Sequence, residues 1–182
     1  MRNQSNILKM AIVVIGFIGL CSFMPAAWKT YSNKYITFKY PNTYKILNEK
    51  KSNGKLTLNC VYQGGNNISV INLGVIDYEG SSTDLYGADF LFFESGIVTK
   101  TLESMRENYQ SCGFSCSTIK NTTKGKYSGS SFTLSSSIEG LTIQGECFSA
   151  VSKKRALVVT LMYDDASLLS QLNQIVDGMV VK

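Results

Sequence analysis

The alternation of apolar and polar positions carries most of the structural information in this chain. Leu56, Leu58, Cys60 and Tyr62 share one parity and Thr57 and Asn59 the other, the period of two expected of a half-buried strand. Tyr35–Tyr40 alternates up to the turn signal Pro41-Asn42, and Tyr44–Leu47 resumes as a strand before a polar turn at Lys50–Gly54. Gly64-Gly65-Asn66-Asn67 is a second turn, and Ile68–Tyr78 reads as a long Val/Ile-rich strand with a bulge expected at Gly74. From Ile97 the period changes. Val98, Leu102, Met105 and Tyr109 form one helical stripe, Glu103, Arg106 and Glu107 lie off it, and Gly113 suits the helix exit. The second half returns to strands at Ser115–Ile119, Lys126–Ser136, Ile138–Val151 and Arg155–Tyr163, with turns at Glu139-Gly140 and Lys153-Lys154. Asp164 or Asp165 then caps a final helix with Leu168, Leu169, Leu172, Ile175 and Val176 on its apolar face and Gly178 at its end. Strand runs with helices set apart define an α+β protein built on antiparallel sheet, not alternating βαβ units.

The N-terminus follows a different logic. Arg2 and Lys9 precede the apolar run Met10–Met24, which ends at Pro25-Ala26-Ala27. This is the layout of a secretory signal. Residues 1–27 are therefore expected to be a signal peptide, cleaved after Ala26 or Ala27, or a retained N-terminal anchor, and residues 28–182 a single domain. The protein is expected to be exported, and so periplasmic, extracellular or membrane-anchored, touching the membrane only through this segment if it is kept. The chain carries a net charge of +5, or +3 without the leader, which contributes two cations and no acid. That excess is too mild for a nucleic-acid-binding protein.

Several chemistries are excluded outright. With no histidine, there is no Ser-His-Asp or Cys-His catalysis and no His-ligated zinc. Ser117-Thr-Ile-Lys120 matches S-x-x-K, but its partner motifs are missing and it lies in a β-type stretch. No cofactor and no metal are expected. The paired carboxylates are Asp77/Glu79, Glu103/Glu107 and Asp164/Asp165; the first could hold a hard cation only with an oxygen-rich loop around it. Cys60, Cys112, Cys116 and Cys147 follow the leader, and an oxidising compartment invites disulfides. Cys112 and Cys116 could close a small loop. Cys60 and Cys147, both on the apolar parity of their strands, fit a cross-sheet bridge or two buried hydrophobes equally well. Phe90, Phe92 and Phe93 cannot all face one side of a helix, so with Tyr86 they are the candidate partner surface.

Ile36-Thr-Phe-Lys-Tyr-Pro41 followed by Tyr44-Lys-Ile46, then meandering strands, a central helix, a long hairpin ending in a hydrophobic strand, and a C-terminal helix with the extended tail Met179–Val181, resemble the PsbP-like superfamily. The resemblance implies an antiparallel sheet packed between helices, a PsbP-like α/β/α sandwich. It implies no enzyme, since the superfamily has no common catalytic residues and its members are mostly accessory or binding proteins. The expectation is an exported, non-catalytic binding or accessory protein of the cell envelope whose partner is another envelope protein. The alternative is an envelope hydrolase using the paired carboxylates.

Overall fold

A computed structural model describes residues 27–52, 54–77, 88–138, 140–152 and 155–182, with the backbone alone at 88–95 and 138. Residues 1–26, Tyr86, Glu79 and the Lys153-Lys154 turn lie outside the described residues, as do the side chains of Phe90, Phe92 and Phe93.

Strands β1 (Trp28–Ser32), β2 (Ile36–Pro41) and β11 (Val180–Val181) form a three-stranded sheet in the order β1-β2-β11. The main sheet contains β3 (Tyr44–Ser52), β4 (Lys55–Tyr62), β5 (Ser69–Asp77), β6 (Ser115–Cys116), β7 (Lys120–Lys124), β8 (Tyr127–Ile138), β9 (Leu141–Ser152) and β10 (Arg155–Tyr163). Its order is β3-β4-β5-β10-β9-β8-β6, with β7 also on β8, and every pairing is antiparallel. Helix α1 (Ala88–Ser111) joins the two halves, and α2 (Leu169–Asp177) precedes β11.

The parity of each strand divides the core in two. Leu58, Cys60, Ile71, Leu73, Val159, Leu161 and Phe148 face α2 and the small sheet, where Tyr35, Phe38, Leu172, Ile175 and Val176 close the main core. Phe132, Leu134 and Cys147 face the other way, beneath Val98 and Leu102 of α1. One outer layer is therefore a helix and the other is mixed, a short helix beside a three-stranded sheet, rather than the purely helical layer the resemblance implies. Nine residues of α2 make a rod of roughly 14 Å, too short to cover so broad a sheet, and β1, β2 and β11 cover the rest.

Three local expectations change. The turn expected at Lys50–Gly54 is tighter: β3 continues to Ser52 through a register shift between Leu47 and Lys50, with Asn48 at φ 53°, and the chain reverses only between Ser52 and Lys55, with Gly54 at φ 69°. The shift and the exposed lysines of β3 blunt what would otherwise be an open sheet edge. Gly74 makes no bulge, since the registers on both sides of β5 run through it unbroken. Helix α1 starts at Ala88 and passes through Gly96, because one interior glycine costs only about 1 kcal/mol. Of the two expected caps, Asp165 takes the role, but it caps the 3-10 turn ahead of α2, which has no side-chain cap of its own. Asp165 Oδ1 accepts from the Ser167 amide at 2.8 Å, and a 3-10 turn at Ala166–Leu168 leads into α2.

Candidate functional site

Helix α1 lies over β6, β8 and β9. On the same sheet face, β3, β4 and β5 extend beyond it. The registers bring their side chains into rows, because residues opposite one another in an antiparallel pair share a face. Leu47, Asn59, Asn72 and Thr160 form one row, and Lys50, Thr57, Gly74 and Val158 the next. Lys45, Val61 and Val70 lie above them, and Lys55 and Ile76 below.

A groove of about 290 Å³ runs between these rows and the flank of α1, with Thr101 and Met105 as its wall. Asn59, Asn72 and Thr57 are half-buried in its floor. The two amides make no side-chain hydrogen bond to another described residue, and they stand directly opposite each other. Gly74 keeps the middle of the floor open: a Cβ there would project toward Val158, 3.8 Å away. Interior glycines in strands often mark a place where another chain or ligand approaches closely. At one end the floor joins the core, where Thr160 Oγ1 lies 3.4 Å from Cys147 Sγ.

The rim is cationic. Lys45, Lys50 and Lys55 are exposed on this face. The nearby acids are committed elsewhere. Glu49 accepts from the Tyr31 hydroxyl at 2.6 Å and pairs with Lys51 at 2.6 Å. Asp77 is bound by Arg155 on the opposite face at 2.5 Å. Glu103 and Glu107 line a separate hollow with Arg106 and Gln110, on the α1 flank that helical spacing turns away from Thr101 and Met105. Lys51 hydrogen bonding, then Tyr31, holds the Glu49 carboxyl below its ordinary range.

A second concavity of about 420 Å³ lies on the other sheet face, lined by Ser115, Ser117, Thr133, Ser135, Gln144 and Tyr163. It is neutral throughout, and Ser117 Oγ there already accepts from the Thr133 amide at 2.9 Å. Ser117 thus sits beside a sheet edge and not at a helix start, which removes the context its S-x-x-K match requires.

The remaining candidates are dispersed. All four described cysteines are free thiols. A Cys60–Cys147 bridge is excluded: the two lie on opposite faces, three strand steps apart across β4, β5, β10 and β9. That is roughly 14 Å at about 4.8 Å per step, against the ~6 Å Cα separation a disulfide tolerates. Both are the small buried hydrophobes of the other reading, and burial pushes each thiol up to about 12. Cys112 and Cys116 are not bridged either. Cys112 is exposed at the helix exit, where Gly113 has φ 85°, while Cys116 Sγ turns under α1 toward the Arg106 carbonyl at 4.0 Å.

The groove residues lie on the polar parity of β4 and β5, where alternation alone assigns them to solvent. A signal was nonetheless present. Residues 28–62 hold seven lysines and one acid, Glu49.

No family model and no curated protein sequence matches the chain. Solved structures do match its fold. A crystal structure of a Bacteroides thetaiotaomicron protein aligns with a TM-score of 0.54 at 8% identity, over 85% of this chain and 48% of that one. The chain thus spans about half of that protein's length. The solution structure of cyanobacterial PsbP (CyanoP) from Synechocystis aligns with a TM-score of 0.51 at 12% identity, over 88% of this chain and 95% of that one. Mostly antiparallel sheet flanked by two described helices, with this connectivity, is a PsbP-like fold.

Proposed function

We propose that this protein is an exported, non-catalytic binding or accessory protein of the cell envelope, which holds a protein partner in the groove between α1 and the open half of the main sheet. The observation that carries the reading is the floor of that groove, where the amides of Asn59 and Asn72 face outward with no partner among the described residues. Both amides are reached by water in the open groove, and a bound chain would replace that water with direct hydrogen bonds. The leader composition supports export, and the accessory role accords with the PsbP-like fold. The hydrolase reading is supported less: Asp77 is paired with Arg155 and lies on the opposite side of the main sheet from Glu103 and Glu107, which share their hollow with the Arg106 cation.

The test is site-specific photo-crosslinking in cells. A benzoylphenylalanine at Thr57 should trap a discrete envelope protein, while the same group at Lys126, beside the opposite face, should not. Equal trapping at both positions, or none at either, refutes the groove as the binding site. Fusion of residues 1–27 to a reporter active only after export tests the location.

A further inference from the structure

We infer that the groove takes an acidic peptide segment in extended form; this rests on the groove being the binding site and adds the chemistry of what it binds. Two features select the occupant. The first is charge: Lys45, Lys50 and Lys55 rise from the same face around the groove, and the described acids nearby, Glu49 and Asp77, are paired on the other side of the sheet. The second is the floor. Each amide of the Asn59–Asn72 pair offers donors and an acceptor. A phosphate or sulfate only accepts, so it would leave both carbonyl oxygens unmatched, whereas a peptide backbone presents N–H and C=O alternately. The floor from Lys55 to Asn59 is roughly 13 Å long at about 3.3 Å per residue, room for about four residues of extended chain. Gly74 and Thr57 leave space at its centre, and Met105 and Val158 supply apolar contact for the peptide stems.

The experiment pans a phage-displayed library of random linear peptides on the immobilised full chain. The selected peptides are then measured by fluorescence anisotropy against the parent and three variants. Gly74→Val fills the floor, and its Cβ meets only ordinary contact distances, so the sheet should remain intact. Lys45→Glu/Lys50→Glu/Lys55→Glu reverses the rim. Lys126→Glu, beside the opposite face, is the control. Melting curves establish that each variant is folded. The expected result is enrichment of Asp and Glu in the selected peptides. Binding should weaken about tenfold or more in the rim variant and on raising salt from about 50 to 500 mM. It should also be lost in Gly74→Val and unchanged in Lys126→Glu. Neutral or basic peptides that still depend on Gly74 would overturn the charge inference and leave the groove standing as a binding site. Peptides indifferent to Gly74→Val would overturn both. Failure to select any peptide, or retention of phosphatidylglycerol vesicles in its place, also overturns the inference, the latter in favour of a lipid surface.

Discussion

Arg155 clasps three separate parts of the chain, and its removal should be among the most damaging single changes outside the apolar core. Its Nε donates to Asp77 Oδ1 at the end of β5, 2.5 Å away. Nη1 donates to the carbonyls of Lys182 at 2.6 Å, Lys34 at 2.9 Å and Tyr35 at 3.4 Å, and the guanidinium lies 4.9 Å from the centre of the Tyr35 ring. The clasp therefore ties the start of β10 to the end of β5, the β1–β2 turn and the C-terminal residue. Arg155→Met keeps the apolar stem and removes these contacts. Deleting one member of a buried ion pair costs about 3–5 kcal/mol. Here the side chains of Arg155 and Asp77 are 18% and 20% exposed, so water recovers part of the loss, and roughly 2–3 kcal/mol is expected after that discount. Asp77→Asn should cost less, about 1–2 kcal/mol, because the guanidinium keeps its backbone acceptors. Urea unfolding at neutral pH with linear extrapolation measures both singles and the double variant. A coupling of about 1 kcal/mol between the two sites should appear in the cycle, and amide exchange at Val181 and Lys182 should accelerate in Arg155→Met. A cost below about 0.5 kcal/mol, the scale of ordinary surface changes, would show that the clasp does not hold the two sheets together.

Leu172, fully buried beneath α2, should cost about 2–5 kcal/mol on truncation to Ala, whereas exposed Ser170→Ala should stay within about ±0.5 kcal/mol; equal melting temperatures would mean that α2 is not docked. With Ellman's reagent at mildly alkaline pH, Cys112 should react first, Cys116 more slowly because burial raises its pKa, and Cys60 and Cys147 only on unfolding; simultaneous labelling of all four in the native protein contradicts the two-sided core. Backbone and hydroxyl hydrogen bonds from Ser167 hold the Asp165 carboxyl below its ordinary value. A depressed folded-state pKa means that this cap contributes fully above the unfolded value and fades as pH falls through the folded one. The difference in melting temperature between the parent and Asp165→Asn should therefore shrink from pH ~7 to pH ~3, and a difference that grows on acidification would give the opposite sign.

Local pattern determined much of this protein by itself. The period of two in Leu56–Tyr62 and around Ile71–Val75 settles which side chains enter the core, because a strand puts successive residues on opposite faces. The stripe Val98, Leu102, Met105 and Tyr109 settles the face that α1 buries, and Asp164-Asp165 marks where the last helical segment begins, for equally local reasons. The PsbP-like pattern around Ile36–Pro41 and the C-terminal helix was legible at the level of fold. Strand order was not, since parity names a face and says nothing of neighbours. Only the tertiary structure set β5 beside β10, some eighty residues later in the chain, and with that placed Cys60 and Cys147 on opposite sides of the sheet and brought Arg155 to Asp77. It also decided how much of one sheet face α1 covers. Had the helix lain over β4 and β5, Asn59 and Asn72 would have been impossible to bury without partners; over β8 and β9 it leaves them half-buried beside its flank, and an ordinary polar parity becomes a groove. Alternation in sequence is a property of a few consecutive residues, whereas a concavity needs elements far apart in the chain to stop short of one another.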